Sequence, residues 1–247
     1  MRYQDGQSNE RSLPAPRAFL STAVVLLGCV ASGAAAHGQT PTFPNPRDLL
    51  NAPPAAFVEL MQAARPRPMS VEDLGRIVRS LPATGEVTSL DPRALSHLAA
   101  VRQILRATNR DWYEVKVIDV PQAAIALHAR AVLLISKPVL NVVTPGELQA
   151  LAAHEIGHEY VWAEYEGARR GAGQTRLKEL ELLCDAMAAV TLHDLGLQPS
   201  SLVDGITKIS RFNRDRFGAA ANEAFYPTVA ERMAFAGVVQ RWLRHGR

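Results

Sequence analysis

Past residue 70 the apolar positions fall into two rhythms, one suited to helices and one to strands. Ser70-Val71-Glu72-Asp73 opens a helical pattern reaching about residue 80. Asp91-Pro92 opens another, with Leu95, Leu98, Ala99, Ile104 and Leu105 along one side. Residues 113–118 then alternate apolar and polar, the period of a half-buried strand. Two short apolar runs follow, 124–127 and 131–136, separated by His128-Ala129-Arg130, and the three segments together predict a small sheet. Helical spacing returns at Thr144-Pro145-Gly146-Glu147. Threonine and glutamate three apart form a capping box, and proline stands in the first turn, where a helix needs no N–H. This helix is expected to run to about residue 166, followed by a glycine-rich loop over 167–173. A second long helix over 174–194 ends at Gly196, and two more fit 200–217 and 228–245. The pattern predicts a mostly helical α+β fold.

Proline punctuates the stretch before this region. Pro41, Pro44, Pro46, Pro53 and Pro54 read as a tether or extended surface arm, and 57–64 suits a short helix stopped by Pro66 and Pro68. At the N-terminus, Arg11 and Arg17 precede an apolar stretch, 18–30, too short to cross a bilayer. Ala34-Ala35-Ala36 then offers a small-residue cleavage pattern with His37 as the first mature residue. Leu26-Leu27-Gly28-Cys29 offers a competing lipobox-like pattern, which would place a lipid on Cys29 and associate the chain with a membrane. An uncleaved anchor is the third reading. All three export the chain, to the periplasm or envelope. They divide it into a signal peptide (1–36), a Pro-rich arm or linker (37–69) and a folded domain (70–247).

Composition narrows the choice only a little. Hydrophobic residues are 47% of the chain and charged ones 21%, enough apolar material for a proper core. The 27 lysines and arginines face 24 acids, and no basic cluster is interleaved with aromatics, which argues against a nucleic-acid partner. The two cysteines, Cys29 and Cys184, stand in such different contexts that no disulfide is expected. Cys184 reads as a small buried hydrophobe.

Chemistry concentrates at His154-Glu155-Ile156-Gly157-His158, the zincin signature. At 3.6 residues per turn the two histidines share one face of a helix, so both imidazoles can reach one ion at about 2.0–2.1 Å. Glu155 is rotated away from that face and flanks the metal, placed to act as general base and then acid. Gly157, between the histidines, leaves room for another backbone to approach. The metzincin pattern fails, because Val161 and Glu164 stand where glycine and a third histidine would be needed. A gluzincin takes a glutamate from a following helix. Glu181 suits this, with Glu179 as competitor; only Glu181 has an acid, Asp185, one turn later on the same face. Asp185 can then accept the free ring N–H of a ligand histidine.

HExxH followed by Glu181-Leu182-Leu183-Cys184-Asp185-Ala186-Met187-Ala188 resembles metallopeptidase family M forty-eight, the gluzincins that include HtpX-like membrane proteases and CAAX prenyl proteases. The resemblance spans about residues 124–232, less than half of the chain. Cys184 stands where the family has a small residue. Tyr226-Pro227 followed by Arg232 stands where the family has His-Pro and an arginine six residues after the histidine. The resemblance implies a zincin-like metal helix beside a small sheet and one Zn²⁺ held by His154, His158 and Glu181. It also implies endopeptidase activity on protein or peptide substrates. The Tyr226 hydroxyl can take the histidine's place as a donor to an oxyanion. In zincins a strand edge above the metal helix pairs with extended substrate, and either 124–127 or 131–136 suits that part. The alternative is a non-enzymatic zinc-containing envelope factor that binds client proteins; an intact Glu155 favours the enzyme.

Overall fold

A computed structural model of the protein describes residues 43–81, 85–87, 89–171, 173–218 and 225–245. The expected signal segment, with Cys29 and Ala36, lies outside them. The chain is mostly helical with one small sheet, the α+β class expected. Its helices are α1 (Pro46–Leu49), α2 (Pro54–Ala63), α3 (Val71–Ser80), α4 (Pro92–Ala107), α5 (Val139–Val142), α6 (Pro145–Tyr160), α7 (Trp162–Arg170), α8 (Gln174–Asp194), α9 (Ser200–Phe217) and α10 (Val229–His245). Strands β1 (Glu114–Ile118), β2 (Ile125–His128) and β3 (Val132–Ser136) fall between α4 and α5. No described helix is long and apolar enough to cross a membrane.

The sheet has the order β1-β3-β2, with β1 parallel to β3 and β2 antiparallel to it. Of the two runs suited to an edge, 124–127 is therefore the edge and 131–136 the centre. The β2–β3 connection spans three residues, 129–131, of which Ala129 and Arg130 both take positive φ, 48° and 60°. The Ala131 N–H closes the turn on the His128 carbonyl at 3.0 Å. Such a turn matches the twist of a hairpin but normally recruits glycine or asparagine.

Helix α6 is central, packing against α4, α8, α9 and β2. Its start is the expected capping box: Thr144 Oγ1 accepts from the Glu147 N–H, and Glu147 accepts from the Thr144 N–H. Helix α8 lies between two hydrophobic cores. Ala188 and Leu192 join the core of the sheet, α4 and α6, while Leu180, Leu183 and Met187 join that of α1, α2 and α10. From Leu183 to Val190 every residue of α8 is buried, so the apolar positions there run round the helix and not along one face.

Two expectations are corrected. The described part of the proline-rich arm is not an extended tether, because Phe43, Leu49 and Phe57 are buried in the second core. Phe43 meets the rings of Phe57 and Tyr160 edge-on. Pro46 and Pro54 sit in first helical turns, where a missing N–H costs nothing, so the same prolines that suggest a linker start helices. Helix α6 also stops at Tyr160 and not near 166. Val161 leaves helical geometry (φ −107°, ψ 12°) and is buried, so that α7 starts afresh at Trp162 and takes up most of the expected loop.

Candidate metal centre

The site is built where α6 and α8 cross. Helices usually pack 8–10 Å apart, and Gly157 permits a close approach: a Cβ there would lie 3.0 Å from both Cα and Cβ of Cys184. This contact sets the register that brings Glu181, one turn before Cys184, over the two histidines.

His154, His158 and Glu181 offer ligand atoms that all lie within 4.8 Å of one another, a group that can hold a metal ion. Nε2 of His154 is 3.4 Å from Oε2 of Glu181, and Nε2 of His158 is 3.7 Å from Oε1. A tetrahedral ion with 2.0–2.1 Å bonds separates its ligands by about 3.4 Å, so the donor atoms fit. Glu179 is outside the group and pairs with Arg176 at 3.1 Å.

Each member is held from behind. Asp185 Oδ1 lies 2.8 Å from Nδ1 of His154, and Cys184 Sγ lies 3.5 Å from Nδ1 of His158. Both imidazoles have Nε2 turned toward Glu181. The Tyr165 hydroxyl donates to Oε1 of Glu181 at 2.9 Å, and its ring meets that of His158 edge-on. Arg232, from α10, donates to Oε2 of Glu181 at 2.8 Å and to Asp185. Tyr226, just ahead of α10, lies close to Tyr165.

Glu155 is buried beside this group, and its Oε2 accepts from the Leu127 N–H of β2 at 2.9 Å. The edge strand therefore runs directly over the start of the HExxH motif.

Electrostatics follow from burial and opposed charges. Burial raises the Glu155 carboxyl to about 7 and lowers the His158 imidazole to about 4. Burial alone would also lower His154, but the carboxylates of Asp185 and Glu181 outweigh it and lift the ring to about 10. Burial would raise Glu181, yet the charges of His158, His154 and Arg232 hold it well below the usual carboxylate range. Burial pushes the Cys184 thiol well up, so it stays a thiol.

Sequence reasoning named His154, Glu155, His158, Glu181, Asp185 and Tyr226, and the fold places all six in one neighbourhood. It missed Tyr165 and the part Cys184 plays behind His158, and it gave Arg232 no contact. A tyrosine seven residues after His158 would have pointed to the site only if the break at Val161 had been foreseen. No protein-family model matches the chain, and no curated protein matches it, so the functional reading stands on this geometry and on motif resemblance.

Proposed function

We propose that the chain is a zinc-dependent endopeptidase of the gluzincin type its motifs resemble, acting on proteins of the cell envelope. The convergence of His154, His158 and Glu181 beside Glu155, under the edge strand β2, carries the reading. Two imidazoles and one carboxylate are the donor set of catalytic zinc sites that keep one position open. Zinc there would supply a Lewis acid that polarises the scissile carbonyl and makes water acidic enough to attack near neutral pH.

The protein's own residues do the rest. The Leu127 N–H fixes Oε2 of Glu155, which leaves Oε1 to take the proton of the attacking water and deliver it to the leaving amine. Asp185 and Cys184 set the ring orientations of the two histidines, while Arg232 and Tyr165 hold the carboxylate of Glu181 between them. Tyr226, beside Tyr165, donates to the oxyanion that forms at the carbonyl. The outward backbone of β2 takes an extended peptide by strand addition. The envelope location rests on the export pattern of the N-terminal sequence.

The test is zinc content and hydrolysis measured side by side on the mature chain. One zinc per chain is expected, lost in His158→Ala and Glu181→Ala and kept in Glu179→Ala. Glu155→Gln should keep zinc and melting temperature while hydrolysis of unfolded protein falls by about 10²–10⁴-fold or more. A zinc-loaded wild type that cuts no peptide library, and that Glu155→Gln replaces fully in cells, would instead favour the client-binding factor.

A further inference from the structure

Backbone direction alternates along β2. The Ser136 N–H donates inward to the Ala124 carbonyl at 2.9 Å, whereas the Leu127 N–H donates away from the sheet to Glu155. In an antiparallel pair residues two apart point the same way. Ala123, Ile125 and Leu127 therefore turn their N–H and C=O groups toward the open side of the edge.

The first of these is already taken. Asn213, on α9, donates from Nδ2 to the Ala123 carbonyl at 2.8 Å and accepts from the Ala123 N–H on Oδ1 at 2.8 Å. A carboxamide has the same donor and acceptor as a peptide unit, so this two-point contact is the one a neighbouring strand residue would make. At the other end Glu155 occupies the Leu127 N–H. Between them, among the described residues, Ile125 has no partner for its outward backbone groups.

We propose that Asn213 stands in for a strand residue at the edge of β2 and so closes one end of the peptide groove, confining the backbone pairing of a bound peptide to Ile125 and the carbonyl of Leu127. The inference rests on the peptidase reading. A peptide paired with Ile125 finds its next pairing position two residues on, about 6–7 Å along the strand, opposite Ala123. The carboxamide of Asn213 fills that position. Substrate residues beyond it gain no backbone hydrogen bonds on that side.

Internally quenched peptides lengthened one residue at a time on either side of the cleaved bond, with the zinc-loaded mature chain, test this. In the wild type kcat/KM should stop rising on one side after the residue opposite Ile125. In Asn213→Ala the plateau should move outward by two residues. The ratio of kcat/KM for long over short peptides should then rise about 5- to 50-fold, through KM, as two added backbone hydrogen bonds would give. Asn213→Asp keeps the acceptor and loses the donor; it should shift the plateau the same way in smaller degree, and serves if the alanine variant unfolds. A plateau unmoved in both variants, with cleavage intact and abolished by Glu155→Gln, overturns the role of Asn213 and leaves the peptidase standing. If no peptide is cut, or Glu155→Gln cuts as well as wild type, the peptidase reading falls and this inference falls with it.

Discussion

His154 and Glu159 stand little more than a turn apart on α6, both buried and both within a charged cluster, yet the groups around them differ in kind. Glu159 accepts from Nε of Arg110 at 3.0 Å, and the guanidinium of Arg110 lies 5.1 Å over the ring of Tyr160. One carboxylate and one enclosed guanidinium cancel there, and burial together with Glu159 pushes the nearby Tyr113 phenol up. Around His154 two imidazoles and two carboxylates meet a single guanidinium, and ligand atoms of His154, His158 and Glu181 lie within 4.8 Å of one another. Buried charge is common to both clusters. Only the second has atoms of ligand type aimed at a shared centre, and that convergence, which burial alone does not give, makes it the group that could hold a metal ion.

The sharpest way to break this comparison is to remove each arginine. Arg110→Ala leaves buried Glu159 with only the partly exposed Arg130, 4.0 Å away, and should cost about 3 kcal/mol. Zinc should stabilise that variant as much as it stabilises wild type, since the ion pair lies outside the metal group. Arg232→Ala should cost the metal-free chain a comparable amount. Loaded with zinc it should lose less, about 1.5–3 kcal/mol, because the ion's charge faces the same carboxylates. Melting curves with zinc and with chelator check both. An Arg232→Ala loss that is the same in either condition would put Glu181 and Asp185 outside the metal's reach.

Gly157→Ala comes next in size. The new methyl would meet Cys184 backbone at 3.0 Å, tighter than van der Waals contact, so α6 and α8 must part. Overpacking of this kind costs about 1–3 kcal/mol. The variant should also hold zinc more weakly than wild type, because its ligands come from both helices. Retained stability with unchanged zinc affinity would show that the helices do not depend on this contact.

Much of the frame could be read from the chain because its signals are local. The capping box at Thr144 and Glu147, the stop at Gly196 and the alternation in 113–118 each act within a few residues, and the corresponding elements stand close to where they were expected. What escaped depends on distant partners. Val161 ends α6 because its side chain is drawn into the second core, and that turn delivers Tyr165 to Glu181. Phe43 and Phe57 are core only because α8 offers an apolar flank to them. The Ala129-Arg130 turn gave no hairpin signal, since neither residue is one that left-handed backbone favours. Asn213 reads as an ordinary polar residue on an amphipathic helix until Ala123 is placed beside it. In the site itself, spacing along α6 and α8 brings out the residues that repeat with the helix, and misses those that reach in from α7 and α10.

The smallest expected effect tests the same comparison at the other end of α6. On α9, Lys208 Nζ lies 2.7 Å from Oε1 of Glu147, the glutamate of the α6 capping box. The Lys208 side chain is 43% exposed, against 3% for Arg110 in its pair with Glu159. Water and salt therefore screen the first pair and not the second. Lys208→Ala should cost about 1 kcal/mol or less and should cost still less at high salt. Glu147→Ala removes more than a charge, since its carboxylate also accepts from the Thr144 N–H, and should cost about 1–2 kcal/mol at any salt concentration. Denaturant melts of the two variants at low and at high salt separate the contributions. A Lys208→Ala loss that is large and salt-independent would mean that the pair is shielded from water like the one at Glu159, and that exposure is the wrong measure for ranking the ion pairs of α6.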